Sequence, residues 1–172
     1  MPAGKKSTPI AVDTNFLARF GRRHSGVLGS VGDDPAAVPE PLILIPPTVI
    51  DELVVAHDDP ADAEEQRLAR IARTNLRSKW KFRPMDREPV GHGIVERIAA
   101  NIRERGYLPP EEINDSFILA EAALLRCALL VTADNHLLDV PAGPLRLLLN
   151  AHDVATPLIV APRKIARDFF PK

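Results

Sequence analysis

Four acidic residues, Asp13, Glu52, Asp115 and Asp134, stand where a folded chain can bring distant carboxylates together. Asp13 directly follows the apolar run Pro9-Ile10-Ala11-Val12, and Asp134 lies three residues past the end of Ala128-Leu129-Leu130-Val131. Glu52 falls one turn into the helical stripe that follows Leu42-Ile43-Leu44-Ile45 and flanks its apolar side, whereas Asp51 points further from it. Asp115 opens the segment 114–126, which is apolar almost all the way round and spells a buried helix. Three or four carboxylates in one low-dielectric volume repel one another, so at least one keeps its proton at neutral pH. A divalent cation removes that conflict, and oxygen donors without a second cysteine or a paired histidine favour Mg²⁺ or Mn²⁺. Such a cluster suits phosphoryl transfer, in which a metal polarises a phosphate oxygen and lowers the pKa of the attacking water. Each acid also has an ordinary alternative as a helix cap: Asp13 for the helix at Phe16, Asp115 or Asn114 for the helix they open, and Asp134 for a turn at His136 to Leu138.

The elements that must position these groups follow from apolar periodicity. Continuous apolar runs predict buried parallel strands over 9–12, 42–45 and 128–131, with a further strand over 145–149. Helices are predicted around 16–20, over 48–57, from Asp58-Asp59-Pro60 to about Lys79, and over 94–105 with Gly106 as the stop. Prolines interrupt 80–89, residues 24–41 read as a loop, and the segment from Pro157 onward carries no clear period. Strands alternating with helices indicate an α/β domain, a three-layer α/β/α sandwich around a parallel sheet. In such sheets ligands bind beyond the carboxyl ends of the strands, where Asp13 and Asp134 stand. A right-handed crossover leaves the start of the 114–126 helix at the site edge or opposite it, so the topology alone does not place Asp115.

In this order the segments Val12-Asp13-Thr14-Asn15, Val49-Ile50-Asp51-Glu52-Leu53, Asn114-Asp115-Ser116-Phe117-Ile118-Leu119-Ala120 and Val131-Thr132-Ala133-Asp134 resemble the four acidic motifs of the PIN domain family of metal-dependent ribonucleases, many of whose bacterial members are VapC-type toxins. The resemblance spans roughly residues 9–150. It implies a PIN-like fold and a Mg²⁺- or Mn²⁺-dependent endoribonuclease acting on single-stranded RNA. Asp13, Glu52, Asp115 and Asp134 would line the metal site, with Asn15 and Thr132 shaping it by hydrogen bonding. It further implies hydrolysis that leaves a 5′-phosphate and a 3′-hydroxyl. For partners it implies an antitoxin or another protein, and a homodimer stays open beside these. Against the compact toxin pattern the chain is longer, with the loop at 24–41 and two helical segments between Glu52 and Asp115. A catalytically idle PIN-like module that binds RNA or protein, and a structure-specific DNA nuclease, are the alternative readings.

Between Arg67 and Arg87 eight basic residues face Asp86 alone, which leaves the rest of the chain net acidic. At about 100° per residue, Arg67, Arg70, Arg73 and Arg77 share one helix side, opposite Leu68, Ala69, Ile71, Ala72 and Leu76. Trp80 and Phe82 then alternate with Lys79, Lys81 and Arg83, an arrangement suited to holding phosphates while stacking on an unpaired base. The alternative is a solvated cationic face over aromatic residues that belong to the core.

The 172 residues suffice for one domain, expected over 9–160 between a polar leader, 1–8, and a tail, 161–172. With 45% hydrophobic and 26% charged residues and a formal net charge of −1, the composition is globular, and any basic surface must be local. A single cysteine, Cys127, excludes an internal disulfide and a cysteine zinc cluster. No apolar run approaches the roughly 18 residues of a membrane span, and no export segment is evident, so a cytoplasmic protein is expected. His57-Asp58 lacks the companion histidine motifs of a phosphohydrolase, Gly91-His92-Gly93 lacks the context of a dinucleotide fingerprint, and no P-loop is present.

Overall fold

A computed structural model describes residues 7–23, 42–59, 61–87 and 89–164. The loop expected at 24–41 and most of the expected leader and tail lie outside the described residues. The elements run β1 (Pro9–Val12), α1 (Thr14–Arg23), β2 (Leu42–Ile45), α2 (Pro47–Asp58), α3 (Ala63–Asn75), β3 (Arg83–Pro84), α4 (Pro89–Glu104), α5 (Ile113–Leu124), β4 (Leu129–Val131), α6 (Asn135–Leu138), α7 (Ala142–Ala151) and β5 (Leu158–Val160).

Among the described residues all five strands are parallel, in the order β3-β2-β1-β4-β5. Consecutive strand residues point to opposite faces of a sheet. Yet both members of each pair Ala11 and Val12, Leu44 and Ile45, Leu130 and Val131 are buried. Both faces are therefore covered, and the fold is the α/β sandwich that continuous apolar runs require. The order reverses beside β1, where the chain steps to β2 on one side and later returns to β4 on the other. That crevice, at the carboxyl edge, is where such sheets hold ligands.

Three segments differ from the sequence reading. Residues 145–149 form part of α7, not a strand: Leu145, Leu148 and Leu149 are buried while Leu147 is 70% exposed, a helical spacing that a short leucine-rich run conceals. Pro144 sits in the first turn of α7, where its missing N–H costs nothing. The fifth strand is instead Leu158–Val160, in the segment left without a period.

The helix predicted from Asp58-Asp59-Pro60 begins later. The helix α2 runs through Asp58, and Asp62 caps α3 by accepting from Glu64 N at 3.0 Å and Glu65 N at 2.9 Å. That helix ends at Asn75, and a left-handed Lys81, φ 57°, redirects the chain so that Phe82 N donates to Leu76 O at 2.8 Å. Within the stretch expected to be irregular, Arg83 and Pro84 pair with Leu44 and Ile45 as a two-residue edge strand, a place that tolerates proline. At the end of α4, Gly106 takes φ +70°, and Tyr107 N reaches back to Ile102 O at 3.0 Å.

Candidate functional site

Asp13 leaves the sheet at the reversal point, its N–H donating to Val131 O of the neighbouring strand at 3.2 Å. The side chain is 2% exposed, and both oxygens are engaged. Oδ1 accepts from Phe16 N at 2.6 Å, which caps α1, and Oδ2 accepts from Thr132 Oγ1 at 2.5 Å. Thr132, fully buried at the end of β4, also accepts from Asp134 N at 2.9 Å, and Asp134 Oδ1 caps α6 by accepting from His136 N at 2.7 Å. For Asp13 and Asp134, capping and a place at the strand ends coincide.

Glu52 is held from two elements: Thr14 Oγ1 donates to Oε2, and Asn114 Nδ2 donates to Oε1 at 2.9 Å. Its neighbour Asp51 turns to Arg87, whose Nη2 donates to Oδ2 at 2.5 Å. Asp115 stands in the first turn of α5 and lines the same cleft as Asp13 and Glu52, so that helix starts at the site edge. Neither Asn114 nor Asp115 caps that helix, whose cap position, Glu112, makes no side-chain cap bond. Glu112 Oε1 instead meets His136 Nδ1 at 2.8 Å. Asp13, Asn15, Glu52 and Asp115 line one cleft of about 540 Å³ with Arg87 and Asn114. Asp134 is not part of that lining.

The electrostatics of this cleft are unfavourable to an empty set of anions. Burial pushes the Asp115 carboxyl up to about 7, and the charges of Asp134, Glu112, Glu52 and Asp13 push in the same direction. Burial likewise takes Asp13 up to about 6, against the bonds from Thr132 and Phe16 that favour its anion, with Asp134 and Glu52 adding repulsion. The donor set is oxygen throughout, the chemistry of a hard divalent cation. Among the described residues, however, no three Asp, Glu, His or Cys side chains form a ready-made cage. Glu52 is turned to Thr14 and Asn114, so closing three carboxylates on one ion requires side-chain movement.

The cationic ridge stands apart from this cleft. Arg67, Arg70, Arg73, Arg77, Lys79 and Lys81 are exposed, and none lines the cleft or the adjoining groove of about 260 Å³. That groove receives the acidic start of α3, Asp62, Glu64 and Glu65. Arg67 pairs with Glu64 at 3.0 Å. Trp80 corrects the expectation of a base-stacking platform: it is 5% exposed, with Phe20 edge-on at 5.1 Å and Phe82 at 5.8 Å between ring centres. Its faces are spent on the core. Cys127 is buried and its thiol pushed up to about 11, the behaviour of a packing residue.

Sequence reasoning missed Thr14 and Asn114 as partners of Glu52, and Arg87 as a lining residue. Thr14 and Asn114 adjoin Asp13 and Asp115 in the chain, and that adjacency was the available signal.

The described residues form a parallel α/β sandwich with an acidic cleft at the carboxyl edge of its sheet. Over 89% of this chain and 98% of the other, it is similar to the crystal structure of VapBC2 from Rickettsia felis bound to a DNA fragment from their promoter, with a TM-score of 0.55 and 14% sequence identity. At that identity the likeness is one of fold. No protein-family model matches the chain, and no curated protein does. Among the described residues no helix is long and apolar enough to cross a membrane.

Proposed function

We propose that the chain is a Mg²⁺- or Mn²⁺-dependent endoribonuclease of the PIN type that cleaves single-stranded RNA, and that it works as the toxin opposite an antitoxin partner. The observation that carries this reading is the convergence of Asp13, Glu52 and Asp115 on one cleft, from three distant segments, with Asp134 near enough to raise the protons of two of them. Carboxylates gathered at such a cost to one another are what a divalent cation relieves. The likeness in fold to a VapBC complex supports the toxin setting and an antitoxin partner.

Asp13, Glu52, Asp115 and Asp134 would hold the ion. Bound there, Mg²⁺ or Mn²⁺ supplies Lewis acidity toward a phosphate oxygen and a water made nucleophilic at neutral pH. Thr132 and the Phe16 N–H fix the Asp13 carboxylate, and Thr14 with Asn114 orients Glu52. Burial and the neighbouring charges push the Asp115 carboxyl up to about 7, so holding the ion would mean giving up that proton.

The test is Mn²⁺-stimulated cleavage of single-stranded RNA, with a matched DNA strand beside it. Asp13→Asn and Asp115→Asn are each expected to lower the rate by about 100-fold or more, with circular dichroism unchanged and saturable Mn²⁺ binding lost. Full activity in both variants would remove the site.

A further inference from the structure

The cleft is lopsided in charge. Its described lining holds six carboxylates, Asp13, Asp51, Glu52, Asp59, Glu65 and Asp115, and a single cation, Arg87. Any polyanion that enters meets this repulsion. The arginines of the α3 ridge line neither the cleft nor the adjoining groove, so they do not offset it at close range.

Arg87 lies between β3 and α4, just past the edge strand, and donates through Nη2 to Asp51 Oδ2. The two side chains are 40% and 65% exposed, and an ion pair so open to water adds little to folding. Exchange at Asp51 is therefore cheap, since water takes the released carboxylate; the guanidinium also acts on the buried Glu121, whose pull a phosphate would share. A guanidinium also carries five N–H donors in a planar fork that matches two phosphate oxygens, and the bond to Asp51 engages one nitrogen.

We propose that Arg87 is the phosphate-binding residue of this cleft, drawn from Asp51 onto a backbone phosphate of the single-stranded RNA. The inference rests on the ribonuclease reading of the same cleft and adds the group that seats the strand against its carboxylates. Because it reads phosphate alone, it gives affinity without sequence preference.

The experiment titrates a fluorescein-labelled single-stranded RNA with the full chain in EDTA, at several salt concentrations, and follows anisotropy. Arg87→Gln is expected to weaken binding about five-fold, alike for different base sequences, and to reduce the salt slope by about 0.7. Arg87→Lys keeps the slope but binds less tightly, because the charge remains and the fork is lost. Asp51→Asn moves the other way, strengthening binding, and most of that gain disappears when Arg87→Gln is also present. Charge alone, with no hand-over of Arg87 from Asp51 to phosphate, predicts instead that the Asp51→Asn gain persists in full beside Arg87→Gln, and that additivity overturns the proposal. Unchanged affinity and slope in Arg87→Gln, or no salt-dependent RNA binding by the parent chain, overturns the proposal. Cleavage in Mn²⁺, run beside this, separates the two readings: a parent chain that cleaves while Arg87→Gln binds normally sinks Arg87 alone, and Arg87-dependent binding without cleavage sinks the nuclease alone.

Discussion

Thr132 donates its hydroxyl to Asp13 Oδ2 at 2.5 Å across 119 residues of chain, and Thr132 Oγ1 itself accepts the backbone N–H of Asp134. One buried threonine thus locks the ends of β1 and β4 together and sets the direction of two acidic segments. Thr132→Val keeps the shape and removes the bond. The buried carboxylate then loses a donor, at a cost of about 1–3 kcal/mol in unfolding free energy. The Asp13 carboxyl moves further up from about 6, since the Thr132 bond is what lowers it most. Urea denaturation checks the first effect. Mn²⁺-stimulated cleavage checks the functional one, expected to fall about 10–100-fold as for other groups that orient ligands.

Asp13 and Asp115 also make stability depend on pH in an unusual direction. Each binds its proton more tightly folded than unfolded, with values of about 6 and about 7 against 3.8. The stability they contribute is complete below about 3.8 and is lost as pH rises through about 6 and about 7. Without metal, Asp13→Asn and Asp115→Asn should therefore stabilise the chain at pH 8, on the order of 1–2 kcal/mol each after allowance for screening at the more open Asp115. The gain should vanish near pH 4. Saturating Mn²⁺ should reverse the order at pH 8, because the ion stabilises only the chain that holds it. Thermal unfolding of the three proteins at both pH values, with Mn²⁺ or EDTA, tests all of this. Equal stability of parent and variants at pH 8 in EDTA would show that the carboxylates do not oppose the fold.

The parallel sheet was legible because strands buried on both faces read as continuous apolar runs, and 9–12, 42–45 and 128–131 all do. The run at 145–149 misled for the same reason: four leucines in five residues carry no visible period, and only burial distinguishes the exposed Leu147 from its neighbours. The strand at 158–160 is three residues long, too short to stand out. In the cleft, the helical wheel separated Glu52 from Asp51; both line it, with Glu52 held by Thr14 and Asn114 and Asp51 by Arg87. The position of Asp115 was not legible, because it depends on how the α4–α5 connection returns to the sheet. Nor was the pairing of Arg87, whose partner lies 36 residues away and which a basic run disguises as one charge among eight.

Glu121 offers a test of how the cleft is held from behind. It lies within α5, 5% exposed, and accepts from Thr48 N at 3.0 Å and Thr48 Oγ1 at 2.8 Å. The first turn of α2, the helix that carries Glu52, is thereby capped by a carboxylate from another element. Burial raises the Glu121 carboxyl above its ordinary value, and the two Thr48 bonds hold it back. Thr48→Val removes one of them and should destabilise the chain by about 1–3 kcal/mol at pH 8. The loss should shrink as pH falls below the ordinary glutamate range, where Glu121 is protonated folded and unfolded alike. Denaturation midpoints at pH 4 and pH 8 measure the difference. A loss independent of pH would mean that Thr48 contributes packing rather than a bond to an anion.

Trp80, the single tryptophan, reports on the aromatic cluster directly. Its ring is enclosed with Phe20 and Phe82, and Phe20 stacks in turn on Phe16 at 5.6 Å, so the end of the α3 segment is pinned to α1 by aromatic contacts. Phe16 is also the residue whose N–H meets Asp13, which ties this packing to the acidic cleft. Trp80→Ala should cost about 3–5 kcal/mol, the range for emptying a large buried aromatic site. In the parent chain the emission should be blue-shifted, as expected of an enclosed indole, and should stay unchanged when single-stranded RNA is added. An indole that stacks on bases behaves oppositely, emitting at longer wavelength when free and quenched on titration. Quenching that saturates with RNA would return Trp80 to the nucleic-acid surface and require the cluster to open.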